Sequence, residues 1–189
     1  MLGIVTMLIG CEANPAVFID DFRDPEKWTT TLNDYNEGDE TGRQNSGSAG
    51  IAGGVLTLSA SCQGWSPCPI ADARRSLSTV VVEEPYELHL DLNVMTSAEG
   101  FFNIDFCLGE VCAATDRTEG PIGLAYSVQA PVIIRSDGAL QSADVADLAL
   151  YVTENLENEA YLHLQAATRY DLSSSSQLTL SRIEIIPSQ

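Results

Sequence analysis

Two histidines stand among alternating residues, in ELHLD (Glu87–Asp91) and in YLHLQ (Tyr161–Gln165), and the chain has no others. Glu87, His89 and Asp91 occupy alternate positions, so a strand would place all three side chains on one face. Glycoside hydrolysis asks for two carboxylates at a matched separation, one of them protonated. A Ser-His-Asp site could draw on His89 or His163, but no G-x-S-x-G frames a serine. The plain alternative to both is a hydrated outer face. Sugar binding asks less, namely an exposed aromatic platform and planar polar groups. Trp65, in the loop CQGWSPC, is the best platform unless its ring folds back as a lid on the core; Trp28 is read as core. Glu87, His89, Asp91 and Asn93 on one strand, and Tyr161, His163 and Gln165 on another, supply the polar groups. If those strands are neighbours in one sheet, they share a polar surface with one ring, suited to hydroxyl-rich ligands. The adjacent pair Arg74–Arg75 either binds an acidic sugar or neutralises surrounding carboxylates.

No cofactor is required by any of this chemistry. A structural calcium is the one metal considered, since calcium takes six to eight oxygen ligands. Asp20 and Asp21, with Asp24 close by, are its candidate ligands, and NDYNEGDE adds Asn33, Asp34, Glu37 and Asp39. That octet lacks the fixed alternate positions of an EF-hand loop. The five cysteines include two close pairs, Cys62 with Cys68 and Cys107 with Cys112. Neither spacing matches a C-x₂-C zinc knuckle and no nearby histidine completes one, so two short-loop disulfides are expected. Such bonds need an oxidising compartment.

The fifth cysteine, Cys11, ends the apolar run from Met1 to Gly10. Ten residues cannot span a bilayer but match the hydrophobic region of a signal peptide. LIGC (Leu8–Cys11) resembles the bacterial lipobox, whose cysteine is acylated and becomes the mature N terminus. No Lys or Arg precedes the run, which an upstream start would explain; a first buried strand is the alternative. The resemblance implies a signal-peptide remnant at 1–10, a lipidated tether at 11–17 and a folded domain at 18–189. The chain would then sit in the bacterial cell envelope, at the outer membrane or cell surface, held by its lipid anchor alone. With 27 acidic against nine basic residues the formal charge is −18, which argues against nucleic acid or an anionic membrane surface as partner.

The elements that must position these residues read as strands. PYELHLDLNVM puts Tyr86, Leu88, Leu90, Leu92 and Val94 on one face, opposite Glu87, His89, Asp91 and Asn93. GGVLTLSAS turns Leu56, Leu58 and Ala60 one way. GFFNIDFCLGEVCAA turns Phe102, Ile104 and Phe106 inward and Asn103, Asp105 and Cys107 outward, with a hairpin at Gly109 that a disulfide would staple. IGLAYSV and PVIIRSDGAL are two further strands, with Ser136–Gly138 as a turn. YLHLQAATRY turns Leu162, Leu164 and Ala166 inward. In QLTLSRIEIIP the phase slips between Leu180 and Ile183, and a β-bulge near Ser181–Arg182 would keep both ends in the core. LALYVTE reads as a strand in preference to a helical turn. Thr29–Gly53 has the composition of a long loop.

Many short strands and no long helix specify an all-β, antiparallel β-sandwich of one domain. The order IDDFRDPEKW, GGVLTLSAS, ARRS, YELHLDLNV and finally SRIEI resembles a concanavalin A-like or laminin-G-like jelly roll over residues 18–189. In that family the last strand pairs back near the N terminus. The resemblance implies a sugar-facing sandwich, shared by lectins, carbohydrate-binding modules, polysaccharide lyases and family 16 glycoside hydrolases. The hydrolases carry a pattern like E-x-D-x-x-E. Here Glu87 and Asp91 are the nearest match, and Val94 stands where the last Glu would be. The reading that follows is a non-catalytic envelope lipoprotein that binds carbohydrate or another surface polymer. A structural or adhesion protein packing against protein partners is the alternative, and a glycan-active enzyme the third.

Overall fold

The computed structural model describes residues 15–33, 45–63, 68–82, 85–97, 100–109, 111–115, 126–135, 140–141, 150–168 and 173–188. Cys11 and the run before it, Trp65, and the turn at Ser136–Gly138 lie outside them. The strands are β1 (Phe18–Asp20), β2 (Trp28–Asn33), β3 (Ser46–Ala52), β4 (Val55–Gln63), β5 (Ile70–Ser76), β6 (Tyr86–Thr96), β7 (Gly100–Leu108), β8 (Val111–Thr115), β9 (Tyr126–Arg135), β10 (Leu140–Gln141), β11 (Leu150–Glu154), β12 (Tyr161–Thr168) and β13 (Ser173–Pro187). They form two antiparallel sheets. A seven-stranded sheet runs β10-β9-β6-β13-β4-β3, with β1 also on β13; a six-stranded sheet runs β11-β8-β7-β12-β5-β2. Most connections cross from one sheet to the other, as in a jelly roll, and β1 pairs with β13 as expected of the first and last strands.

Alternation builds the core. Leu88, Leu90 and Val94 of β6 and Leu162 and Leu164 of β12 all lie fully buried in the one core cluster between the sheets. The phase slip in β13 is a bulge: Leu180 pairs with Leu92 and Ile183 with Leu90, so Ser181 and Arg182 together oppose Asp91. Both ends of the strand thereby keep their apolar side chains inside. Gly109, at φ 67°, turns the β7–β8 hairpin, and Cys107 is bonded to its cross-strand partner Cys112. The second disulfide, Cys62–Cys68, ties the end of β4 to the approach of β5, and so joins the two sheets.

Two expectations need correction. Thr29–Gly53 is not all loop, because β2 and β3 lie within it. Both are edge strands among the described residues, where small and polar residues suffice because each pairs with a described strand on one side only; a Cβ at Gly47 would stand 2.7 Å from Leu32 Cδ1. IGLAYSV and PVIIR contribute to a single strand, β9, which continues through Pro131. The missing N–H is tolerated there because β10 pairs only with Ile133 and Ile134, leaving that side of Pro131 without a described strand.

The DDF…W motif has a structural explanation. Asp20 Oδ1 accepts the backbone N–H of Phe22 at 2.9 Å, and Oδ2 accepts Trp28 Nε1 at 3.0 Å. That first bond holds Phe22 at φ 58°, an uncommon conformation for a bulky residue, with its ring 5.2 Å from that of Trp28. Arg75 Nε lies 3.2 Å from Asp20 Oδ2, so a largely buried ion pair spans from β1 in one sheet to β5 in the other. Removing one partner of such a pair costs about 3–5 kcal/mol. Tyr86 adds a second clasp, its hydroxyl donating to Leu108 O at 2.8 Å across the sheets.

Candidate functional site

The outer face of the six-stranded sheet gathers its polar groups through strand register. β12 lies between β7 and β5, so His163 stands opposite Asp105 on one side and Arg74 on the other; Gln165 stands opposite Asn103 and Asp72. His163 Nδ1 lies 3.0 Å from Asp105 Oδ2 and Nε2 lies 3.0 Å from Asp72 Oδ1. Gln165 Nε2 donates to Asp72 Oδ1 at 2.8 Å, and Asn103 Nδ2 donates to Gln165 Oε1 at 2.7 Å. A continuous row therefore runs Asp105, His163, Asp72, Gln165, Asn103 over three strands. Beside it, the Arg74 guanidinium stacks 4.2 Å from the Tyr161 ring centroid and pairs with Glu159 at 2.7 Å.

The electrostatics of the row follow from its geometry. Hydrogen bonds to Asp105 and then to Asp72 outweigh the burial that opposes charging, and push His163 up to about 9. It is a cation at neutral pH with both ring nitrogens committed, and so cannot take a proton as a general base. Asn103 is fully buried although it points outward by parity, and its Oδ1 has no hydrogen-bond partner. An acceptor left in that state costs about 1–3 kcal/mol.

The two sets of sequence-predicted residues do not form one surface. β6 belongs to the seven-stranded sheet and β12 to the six-stranded sheet, so Glu87, His89, Asp91 and Asn93 face away from Tyr161, His163 and Gln165. The shared polar surface is thus replaced by two separate faces, because sequence alternation assigns a side to each residue but no neighbour to each strand. On the seven-stranded face, His89 Nε2 meets Glu87 Oε2 at 2.9 Å and Arg135 Nε meets Glu87 Oε1 at 3.2 Å. The bond from His89 holds the Glu87 carboxyl below its usual range, against burial and with help from Arg135. Asp91 is exposed.

Other candidates are placed individually. Asp20 is engaged by Phe22, Trp28 and Arg75, and Asp21 pairs with Arg23 at 2.9 Å. Among the described residues no three His, Cys, Asp or Glu side chains gather as a metal site. Arg74 and Arg75 both neutralise carboxylates, as one of the two readings had it. Trp28 is core. Trp65 lies outside the described residues, in the β4–β5 connection that leads into the strand carrying Asp72. Sequence reasoning missed Asp72 as a site residue and gave Asn103 and Asp105 only an outward direction. The signal for Asp72 was available in IADARRS, where Ala71 and Ala73 alternate with Asp72 and Arg74.

No protein-family model matches the chain, and neither does any curated protein. Solved structures of similar form include the CBM2 module of the evolved Dit of Lactobacillus casei BL23 phage J-1, at 14% identity and TM-score 0.46 over 94% of this chain and 98% of that one. A non-specific endo-beta-1,3(4)-glucanase of family GH16 follows at 9%, TM-score 0.45, over 94% and 97%. The family 11 carbohydrate-binding module from Clostridium thermocellum, in complex with a mixed-linked tetrasaccharide, stands at 12%, TM-score 0.38, over 89% and 94%. At such identities and scores these structures carry no functional argument, and the sandwich rests on the strand order of this chain itself.

Proposed function

We propose that the chain is a non-catalytic binding protein of the bacterial cell envelope, lipid-anchored through Cys11, whose six-stranded sheet takes up carbohydrate on its outer face. The observation that carries the reading is the row Asp105, His163, Asp72, Gln165, Asn103 beside the Tyr161 ring. The half-buried planar groups Asp105, Asp72 and Gln165, held in place by their neighbours, suit the paired hydroxyls of a sugar without first losing rotamer freedom. Catalysis is disfavoured because His163 is bonded on both nitrogens. Two disulfides agree with an exported protein.

A glycan array probed with the chain carrying Cys11→Ser tests the binding. Retained glycans are expected, and Tyr161→Ala or Gln165→Ala should weaken them. An array without signal, or binding indifferent to both variants, would sink the reading. For the anchor, wild-type protein should partition into detergent and Cys11→Ser should stay in the aqueous phase; equal partitioning removes it.

A further inference from the structure

β3 is the open edge of the seven-stranded sheet, paired with β4 on one side and with no described strand on the other. Its seven residues, SGSAGIA, contain no charge, no proline and no bulge, in a chain of net charge −18. Natural edges are ordinarily blunted by charge, proline, a bulge or brevity. The far edge of the same sheet follows that rule, since β10 has two residues. β2, the neighbouring edge of the other sheet, is WTTTLN and also uncharged.

The turn settles which backbone groups of β3 are open. Gly53 and Gly54 have φ 60° and 77°, a two-residue turn that closes Ala52 with Val55 as a hydrogen-bonded pair. Bonded and non-bonded pairs alternate along the ladder, so Ser48 and Gly50 bond to β4. Gly47, Ala49 and Ile51 therefore turn their N–H and C=O groups to the side that carries no described strand. A second copy running antiparallel about a twofold axis at Ala49 sets Gly47 opposite its Ile51, and Ala49 opposite its Ala49. In that register every open N–H meets a C=O. The side chains agree: Ile51, partly buried against the core, falls opposite Gly47, which has no room for a Cβ of its own. The outward pairs, Ser48 with Gly50 and Ser46 with Ala52, bring no charge together.

We propose that β3 is a strand-addition edge at which two copies of this chain pair antiparallel about Ala49, extending the seven-stranded sheet through the dimer. An axis normal to the sheets keeps both inner faces inside and brings β2 beside β2 of the second copy. The net charge makes copies repel over most of their surface, so the uncharged edge is where they can meet. Added salt, which screens that repulsion, should strengthen the pair.

Sedimentation of the full chain carrying Cys11→Ser, at micromolar concentrations in low and high salt, tests this. A dimer whose fraction rises with protein and with salt is expected. Ser48→Glu combined with Gly50→Glu sets like charges directly opposite at two symmetry-related places and should weaken the dimer roughly tenfold or more. A Cβ at Gly50 meets open space and Ser48 is exposed, so the variant should melt as the wild type does. Ser48→Lys combined with Gly50→Glu sets opposite charges together and should restore the dimer. A wild type that stays monomeric in high salt overturns the proposal, as does a dimer unmoved by the double-Glu variant.

Discussion

The two outer faces of the sandwich each carry one histidine beside a carboxylate, yet they are built differently. On the seven-stranded face, His89 meets Glu87 from two residues away on the same strand, and Arg135 joins from β9. On the six-stranded face, His163 takes Asp105 from β7 and Asp72 from β5, and so ties three strands together. The first arrangement is local and half covered. The second depends on register across the sheet and places one cation between two anions. A like-looking sequence pattern, L-H-L within a run of alternating residues, therefore yields a surface pair in one sheet and a bridging network in the other.

Raising the pH should separate the faces most. His163 is raised to about 9 in the folded chain against 6.5 unfolded, so its contribution is complete below about pH 6.5 and is lost as pH rises through 9. The loss, read by denaturant melts at the two ends of that window, should reach at most about 2.5 kcal/mol. Glu87 has the opposite sign: its pKa is lowered, so its contribution is present above 4.5 and is lost as pH falls. A stability curve flat between pH 6.5 and 9 would show that His163 is not held between its two carboxylates.

Substitution at neutral pH gives the next largest difference. His163→Ala leaves Asp72 and Asp105 without their shared cation and should cost about 2 kcal/mol, while abolishing the alkaline loss. Equal costs at His163 and His89 would erase the contrast between bridging and local pairs. Binding should then distinguish the faces by about tenfold: Gln165→Ala or Tyr161→Ala weakens glycan retention, whereas Asp91→Ala, on the other sheet, leaves it unchanged. The smallest effects belong to the seven-stranded face. Asp91→Ala should shift stability by under about 0.5 kcal/mol, as exposed substitutions usually do.

Strand identity was legible because one face of each sheet is buried. Tyr86–Val94, Leu162–Ala166 and Phe102–Phe106 alternate without a break, and the bulge in β13 shows in sequence as a phase slip between Leu180 and Ile183. The disulfide partners were legible from spacing. β2 and β3 were not, because an edge strand needs few large apolar residues and Thr, Ser and Gly then read as loop. The site was legible only by halves. Tyr161, His163 and Gln165 stood out by parity, but their partners Asp72, Arg74, Asn103 and Asp105 lie 58 or more residues away in the chain.

Side-chain parity is a property of one strand and follows from the order of residues alone: what faces inward, what faces outward, and that the chain folds as an all-β sandwich. Strand neighbours are a property of the sheet, set by how the whole apolar surface closes, and they are fixed only once the sheets assemble. That assembly moved His89 and His163 to opposite sides of the molecule and put two aspartates on either side of one histidine. It also made Asp20 the partner of Trp28 and Arg75, since the clasp forms only where β1 and β5 meet across the two sheets.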